Sequence, residues 1–172
     1  MPKIIENVRE QLLSEARRQI TDNGYKKTTI RSVAGACGLG VGTVYNYFKS
    51  KEILIATFIL EDWQVCLAKM KQQSLRTPDD CLKIVYDSLS SFMKEHSTLF
   101  SDSDAIKVFA QAEAGRHIYL RDQIADIIRP ACNHTPVSNK DFLAEFIAES
   151  MITWTVAGKS YEDISSVINL LI

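Results

Sequence analysis

Four cysteines in 172 residues, Cys37, Cys66, Cys81 and Cys132, stand at unrelated spacings. That excludes a disulfide framework and predicts reduced, mostly buried thiols. No stretch reaches the roughly 18 uninterrupted apolar residues of a membrane span, and no signal-type apolar run lies between Lys3 and Arg9. The expected compartment is the cytoplasm. Strand-like alternation is missing throughout, as are a phosphate loop, a nucleophile with a placed base, and paired metal-ligand spacing. Cys132-Asn133-His134 comes nearest to a ligand cluster and offers only two donors. No catalytic residue, cofactor or metal is therefore expected. Net charge is also nearly absent, at −1.

The near-neutral total hides a split. Residues 1–51 hold nine Lys/Arg against four Asp/Glu, and residues 52–172 hold eleven against seventeen. A basic front end gains counterion release on a phosphate backbone, while an acidic remainder stays off it.

The basic part also carries the most informative pattern, from Thr28 to Phe48. Ile30, Val33 and Ala34 fall at i, i+3 and i+4, one face of a helix. Gly38 stands where that helix must stop and reverse, a position that favours left-handed backbone. Leu39 plugs the turn, and Gly40 takes the next helix's cap position without the side-chain oxygen that serine would supply. Val44 and Phe48 then face inward, leaving Val41, Gly42, Thr43, Tyr45, Asn46 and Tyr47 to reach outward. Two short helices around a glycine turn form a helix-turn-helix, which sets one helix against base edges in the DNA major groove. Thr28, Thr29 and Arg31, at the start of the first motif helix, complete the predicted surface together with Lys51. Ser50 is a natural N-cap, and Lys51 sits in the first turn behind it, where free amides and a cation can hold a phosphate.

Gly38 to Leu54 resembles the signature of the TetR family of transcriptional regulators. The resemblance spans the first third of the chain, including the leading amphipathic helix and the Asn23-Gly24-Tyr25 break. Two positions depart from it: Gly40, where the family commonly has serine, and Val41, where it often has a basic residue. The resemblance implies that the helix start at Ser50 touches the DNA backbone, and that the chain is a regulator, most commonly a repressor, acting as a homodimer on double-stranded operator DNA.

The rest reads as helices. Ile5, Val8, Leu12, Ala16 and Ile20 make a leading stripe from about Lys3 to Asp22. Arg17, Arg18, Lys26 and Lys27 lie near its end, within possible reach of phosphates. A linking helix runs from Ser50 to about Leu75, with Leu54, Phe58, Trp63 or Val65, and Leu67 on apolar positions. Thr77-Pro78-Asp79-Asp80 and Ser138-Asn139-Lys140-Asp141 are cap-and-acid starts. Between them, Ala105 to Arg129 forms one or two helices with Ile106 inward, and Ser97 to Asp104 forms a turn with Phe100 inward. A last helix starts at Ser160. The expected fold is all-α, with residues 1–50 as a three-helix DNA-binding domain (motif 29–48) and residues 51–172 as a helical ligand-binding and dimerisation domain.

Two questions stay open at this level. The apolar stripes of the last two helices either complete a monomeric core or pair across a two-fold axis through Phe146, Ile147, Met151, Trp154, Ile164, Val167, Ile168 and Leu171. Trp63, Phe92, His96, Phe109, Glu113, Arg116 and His117 suit either a core or a pocket for a small-molecule effector. Beside the ligand-responsive regulator stands a DNA-independent interaction protein that keeps a degenerate motif.

Overall fold

The computed structural model describes residues 7–73, 77–110 and 113–172, with side chains throughout except at 108–110 and 113–117. All regular structure among the described residues is helical. The elements are α1 (Val8–Lys27), α2 (Ile30–Ala36), α3 (Val41–Tyr47), α4 (Lys51–Gln72), α5 (Pro78–Glu95), α6 (Ser97–Phe100), α7 (Ser103–Ala110), α8 (Glu113–Ile128), a 3-10 turn (Arg129–His134), α9 (Lys140–Val156) and α10 (Tyr161–Ile168). None of these helices is long and apolar enough to cross a membrane.

The chain divides into two compact units, one from residues 1–63 with 96–111 and the other from residues 64–95 with 112–172. In the first, Leu12, Leu13, Ala16 and Ile20 of α1 meet Val33 and Ala34 of α2, Val44 of α3, and Leu54, Ile55 and Phe58 of α4 in one core. Each of the valine, leucine, isoleucine and phenylalanine side chains contributes about 1.5–3 kcal/mol when fully buried. Leu99 of α6 and Ala105 of α7 close this core. The expected inward residues here were Phe100 and Ile106; Phe100 is half-buried and Ile106 is exposed. The segment expected as a polar turn folds as α6 and the start of α7, which shifts the helical phase by one residue.

The expected break at Asn23-Gly24 is present, and a short helical turn follows it within α1. Gly24 adopts φ 78°, ψ 173°, and α1 resumes through Lys27. Arg17 makes a two-pronged pair with Asp62 of α4, at 3.0 and 2.7 Å, with its guanidinium 5.2 Å from the Phe58 ring centre. Arg18 joins Glu15 and Asp22 on its own helix, and Lys26 pairs with Asp104 of α7. These three cations are engaged within the protein.

In the second unit α9 packs against α5, α8, α10 and the 3-10 turn. The expected caps are in place: Thr77 and Asp80 exchange bonds of 3.1 and 3.0 Å, Asn139 accepts from Phe142 N, and Ser160 and Asp163 form a capping box. The α-helix α8 stops at Ile128, and Pro130 sits at the start of the 3-10 turn that follows. There the missing amide is harmless. Trp63 rather than Val65 takes the buried position of α4.

Candidate nucleic-acid interface

The turn between α2 and α3 is built as its sequence requires. Gly38 has φ 67°, a left-handed conformation. Leu39 N donates to Ala34 O at 2.9 Å and Gly38 N to Gly35 O at 3.1 Å, satisfying carbonyls that α2 leaves open. At the other end of α2, Thr29 and Ser32 form a reciprocal capping box, and Ser32 Oγ also donates to Gln19 Oε1 at 2.6 Å, tying the motif to α1. The capping hydroxyl comes from Thr29. Thr28 is buried, its hydroxyl donating to Gly24 O at 2.9 Å, so it is a structural residue without access to a partner. Its place in the expected DNA surface is corrected on that ground.

Gly40 caps α3 without any side-chain bond. Val44 and Phe48 point into the core, while Val41, Gly42, Tyr45, Asn46 and Tyr47 stand in solvent and Thr43 is half-buried. Tyr45 and Tyr47 each keep almost half their surface exposed, 46% and 48%. Large aromatic side chains left in water on a domain this small mark a contact surface better than a core.

Beside α3 lies an open depression of about 540 Å³, bounded by Thr29, Ile30, Arg31, Val41, Tyr45, Lys49, Ser50, Lys51 and Glu52. It brings together the start of α2, one flank of α3 and the start of α4. Arg31, Lys49 and Lys51 make it cationic, and Glu52 is its single carboxylate. Lys49 was not among the expected contact residues, although it lies in the signature segment and its charge was legible there. Ser50 Oγ accepts from Ile53 N at 3.2 Å, the anticipated cap of α4.

Lys51 is partly withdrawn from solvent. Its Nζ donates to Tyr25 O at 3.0 Å and stands 3.6 Å from the Tyr25 ring centre. Burial lowers the affinity of this amine for its proton. Burial likewise raises the Tyr25 phenol, aided by Glu52, to about 12. Burial pulls Glu52 upward, but bonds from Ser50, its own amide and Tyr25 outweigh that and hold the carboxyl below its ordinary value.

The other expected site residues lie elsewhere. Trp63 and His96 are buried in the first unit, His96 Nε2 lying 3.4 Å from Asp62 Oδ2, and Phe92 is half-buried in the second. The side chains of Phe109, Glu113, Arg116 and His117 lie outside those described. Of the predicted pairing face, Ile147 and Met151 are fully enclosed in the second unit, with Ile164 and Ile168 nearly so. The accessible remainder is Phe146, Trp154, Val167 and Leu171.

Helical throughout its described residues, with a second motif helix that stands clear of the core and cations beside it, the first unit has the architecture of a helix-turn-helix domain. Residues 12–57 match the family model described as "Bacterial regulatory proteins, tetR family". The sequence is 33% identical over 64 residues to the HTH-type transcriptional regulator UidR of Escherichia coli K12, covering 37% of this chain and 33% of that protein. The match thus spans about a third of the length of that relative. The HTH-type transcriptional repressor KstR of Mycobacterium tuberculosis is 23% identical over 172 residues, covering 95% of this chain and 78% of KstR. The solved structure of Thermus thermophilus FadR, a TetR-family repressor in complex with lauroyl-CoA, has a similar fold with a TM-score of 0.59 at 17% identity, covering 94% of this chain and 92% of that one. Over residues 12–57 the chain is thus similar to the TetR family of bacterial regulatory proteins, and over most of its length it shares their fold.

Proposed function

We propose that the chain is a ligand-responsive transcriptional regulator, a repressor that binds a palindromic operator as a homodimer and is released by a small-molecule effector. The observation that carries this reading is the exposed face of α3, Val41, Gly42, Tyr45, Asn46 and Tyr47, flanked by Arg31, Lys49 and Lys51 on a TetR-family domain. Thr43 adds a hydroxyl for phosphate or base and a methyl group for thymine. Residues 1–50, joined by Lys51 at the start of α4, serve the DNA, and the rest of residues 51–172 serve the effector and the partner subunit. Cytoplasmic residence follows from that work. The repressors among the relatives, and the acyl-CoA bound to FadR, support both repression and an effector.

Two recognition helices about a two-fold axis read half-sites roughly 34 Å apart. An effector weakens binding only by its preference for a geometry that misfits this spacing. The residues offered for its pocket are Trp63, Phe92, His96, Phe109, Glu113, Arg116 and His117. The test is fluorescence anisotropy of the purified protein on duplexes from upstream of its own gene, at two salt concentrations. Salt-dependent binding of a dimer, tighter than to random duplex, is expected. Equal affinity for every duplex would leave only the DNA-independent alternative.

A further inference from the structure

We propose that Tyr25 is a positioning residue for DNA binding: its ring and its carbonyl together hold the Lys51 ammonium at the edge of the cationic depression, so that a DNA phosphate meets a cation already in place. The proposal rests on the DNA-binding reading above and deepens it.

The geometry begins with the end of α1. The last carbonyls of a helix have no partner within it. Here Gly24 O accepts from Thr28 N and from the Thr28 hydroxyl, while Tyr25 O accepts from Lys51 Nζ. Tyr25 lies beyond the Gly24 kink, in the short turn before Thr28, and its carbonyl supplies a seat for the lysine of another helix. The ring makes that seat two-sided, with the ammonium 3.6 Å from its centre.

The Tyr25 side chain is itself immobilised. It is buried in the first unit's core, and its hydroxyl donates to Glu52 Oε1 at 3.1 Å. Lys51 and Glu52 are consecutive at the start of α4, so one tyrosine engages neighbouring residues of opposite charge by three different groups. The Glu52 carboxylate, which also borders the depression, accepts from the phenol. An ammonium has three donors; with one given to the carbonyl and one face on the ring, donor capacity remains for a phosphate at the depression that Lys51 lines. A free lysine loses much rotamer freedom when it binds. Lys51 has lost that freedom during folding, which is how preorganisation raises affinity.

The experiment compares wild type with Tyr25→Leu, Tyr25→Phe and Lys51→Ala in two measurements. In the protein alone, NMR of the Lys51 ε-methylene reads its place over the ring: an upfield ring-current shift is expected in wild type and Tyr25→Phe and is lost in Tyr25→Leu. On operator DNA, Tyr25→Leu is expected to weaken binding roughly tenfold and to lower the slope of log affinity against log salt by about one per protomer, as Lys51→Ala does. The double variant Tyr25→Leu/Lys51→Ala should lose no more than Lys51→Ala alone. Absence of the ring-current shift in wild type overturns the proposal, and so does a Tyr25→Leu protein with the wild-type salt slope. Should Tyr25→Leu fail to fold, the wild-type and Tyr25→Phe spectra still test the seating of Lys51, and an unchanged salt slope in Lys51→Ala overturns its role on DNA. A wild type that shows the shift but binds no duplex specifically would count against the regulator reading and leave the seating of Lys51 intact.

Discussion

Neighbouring threonines at the start of the motif have opposite fates. Thr29 is exposed and caps α2, whereas Thr28 is buried with its hydroxyl on Gly24 O. Sequence alone presents both as small polar residues beside a recognition motif, because burial here depends on the kink at Gly24 that turns Thr28 inward. Thr28→Val therefore leaves Gly24 O with only the backbone donor and is expected to lower stability by about 1 kcal/mol. Its DNA affinity, corrected for the folded fraction, should stay at the wild-type value; chemical denaturation and anisotropy measure the two effects separately. Tyr47→Ala and Lys51→Ala behave in the opposite sense. Each removes a group at the proposed DNA face and is expected to weaken operator binding by roughly 1–3 kcal/mol with dimerisation intact. If both bind like wild type while still folded, the DNA surface has been misplaced. Lys49 extends the same argument, since an exposed cation on the rim of the depression should contribute to the salt slope even though it touches no base.

At the scale of helices, the sequence was most legible where local chemistry decides the outcome. The caps at Ser50, Thr77, Asn139 and Ser160 and the left-handed Gly38 all depend on near neighbours in the chain. Tertiary choices were less visible. Ala105 rather than Ile106 faces the core because α6 and α7 replace the expected turn, and no local rule sets the phase of an eight-residue helix. The seat of Lys51 on Tyr25 was equally hidden, since it joins residues 26 positions apart. Two glycines in the motif allow an element-level test. Gly38→Ala places a Cβ in open space but at φ 67°, so its cost is backbone strain alone, about 1–2 kcal/mol. Gly40→Ser has ordinary backbone angles, φ −71° and ψ 144°, with its Cβ 3.9 Å from Thr43 Oγ1. It should gain an N-cap bond and a few tenths of a kcal/mol. Thermal melts of the two variants should therefore move in opposite directions. A destabilised Gly40→Ser would show that α3 needs its start left open.

At the scale of the whole molecule, the proposed dimer depends on which apolar residues the protomer leaves uncovered. Ile147 and Met151 are 0% exposed, so their hydrophobic energy is already used inside the second unit. Phe146 and Trp154 remain 48% exposed and Val167 61%. With Ser150 and Leu171 they border a depression of about 410 Å³ between α9 and α10, rimmed by Lys159 and Asp163. An apolar centre with aromatic anchors and one charge of each sign on its rim suits a self-complementary two-fold contact, in which each rim charge can meet its opposite. The periodicity that named all eight residues mixed two populations, because a helix packed on both sides repeats apolar residues over more than one face. The distinction yields a sharp pair of variants. Trp154→Glu puts a charge on the exposed face and should convert the dimer to monomer in sedimentation equilibrium, with helical circular dichroism unchanged. Met151→Ala opens a cavity in the protomer and should cost about 2–5 kcal/mol of stability instead. Operator affinity should fall with Trp154→Glu, since a monomer presents one recognition helix where the palindrome offers two half-sites. A Trp154→Glu protein that remains dimeric at micromolar concentration would move the interface off α9 and α10.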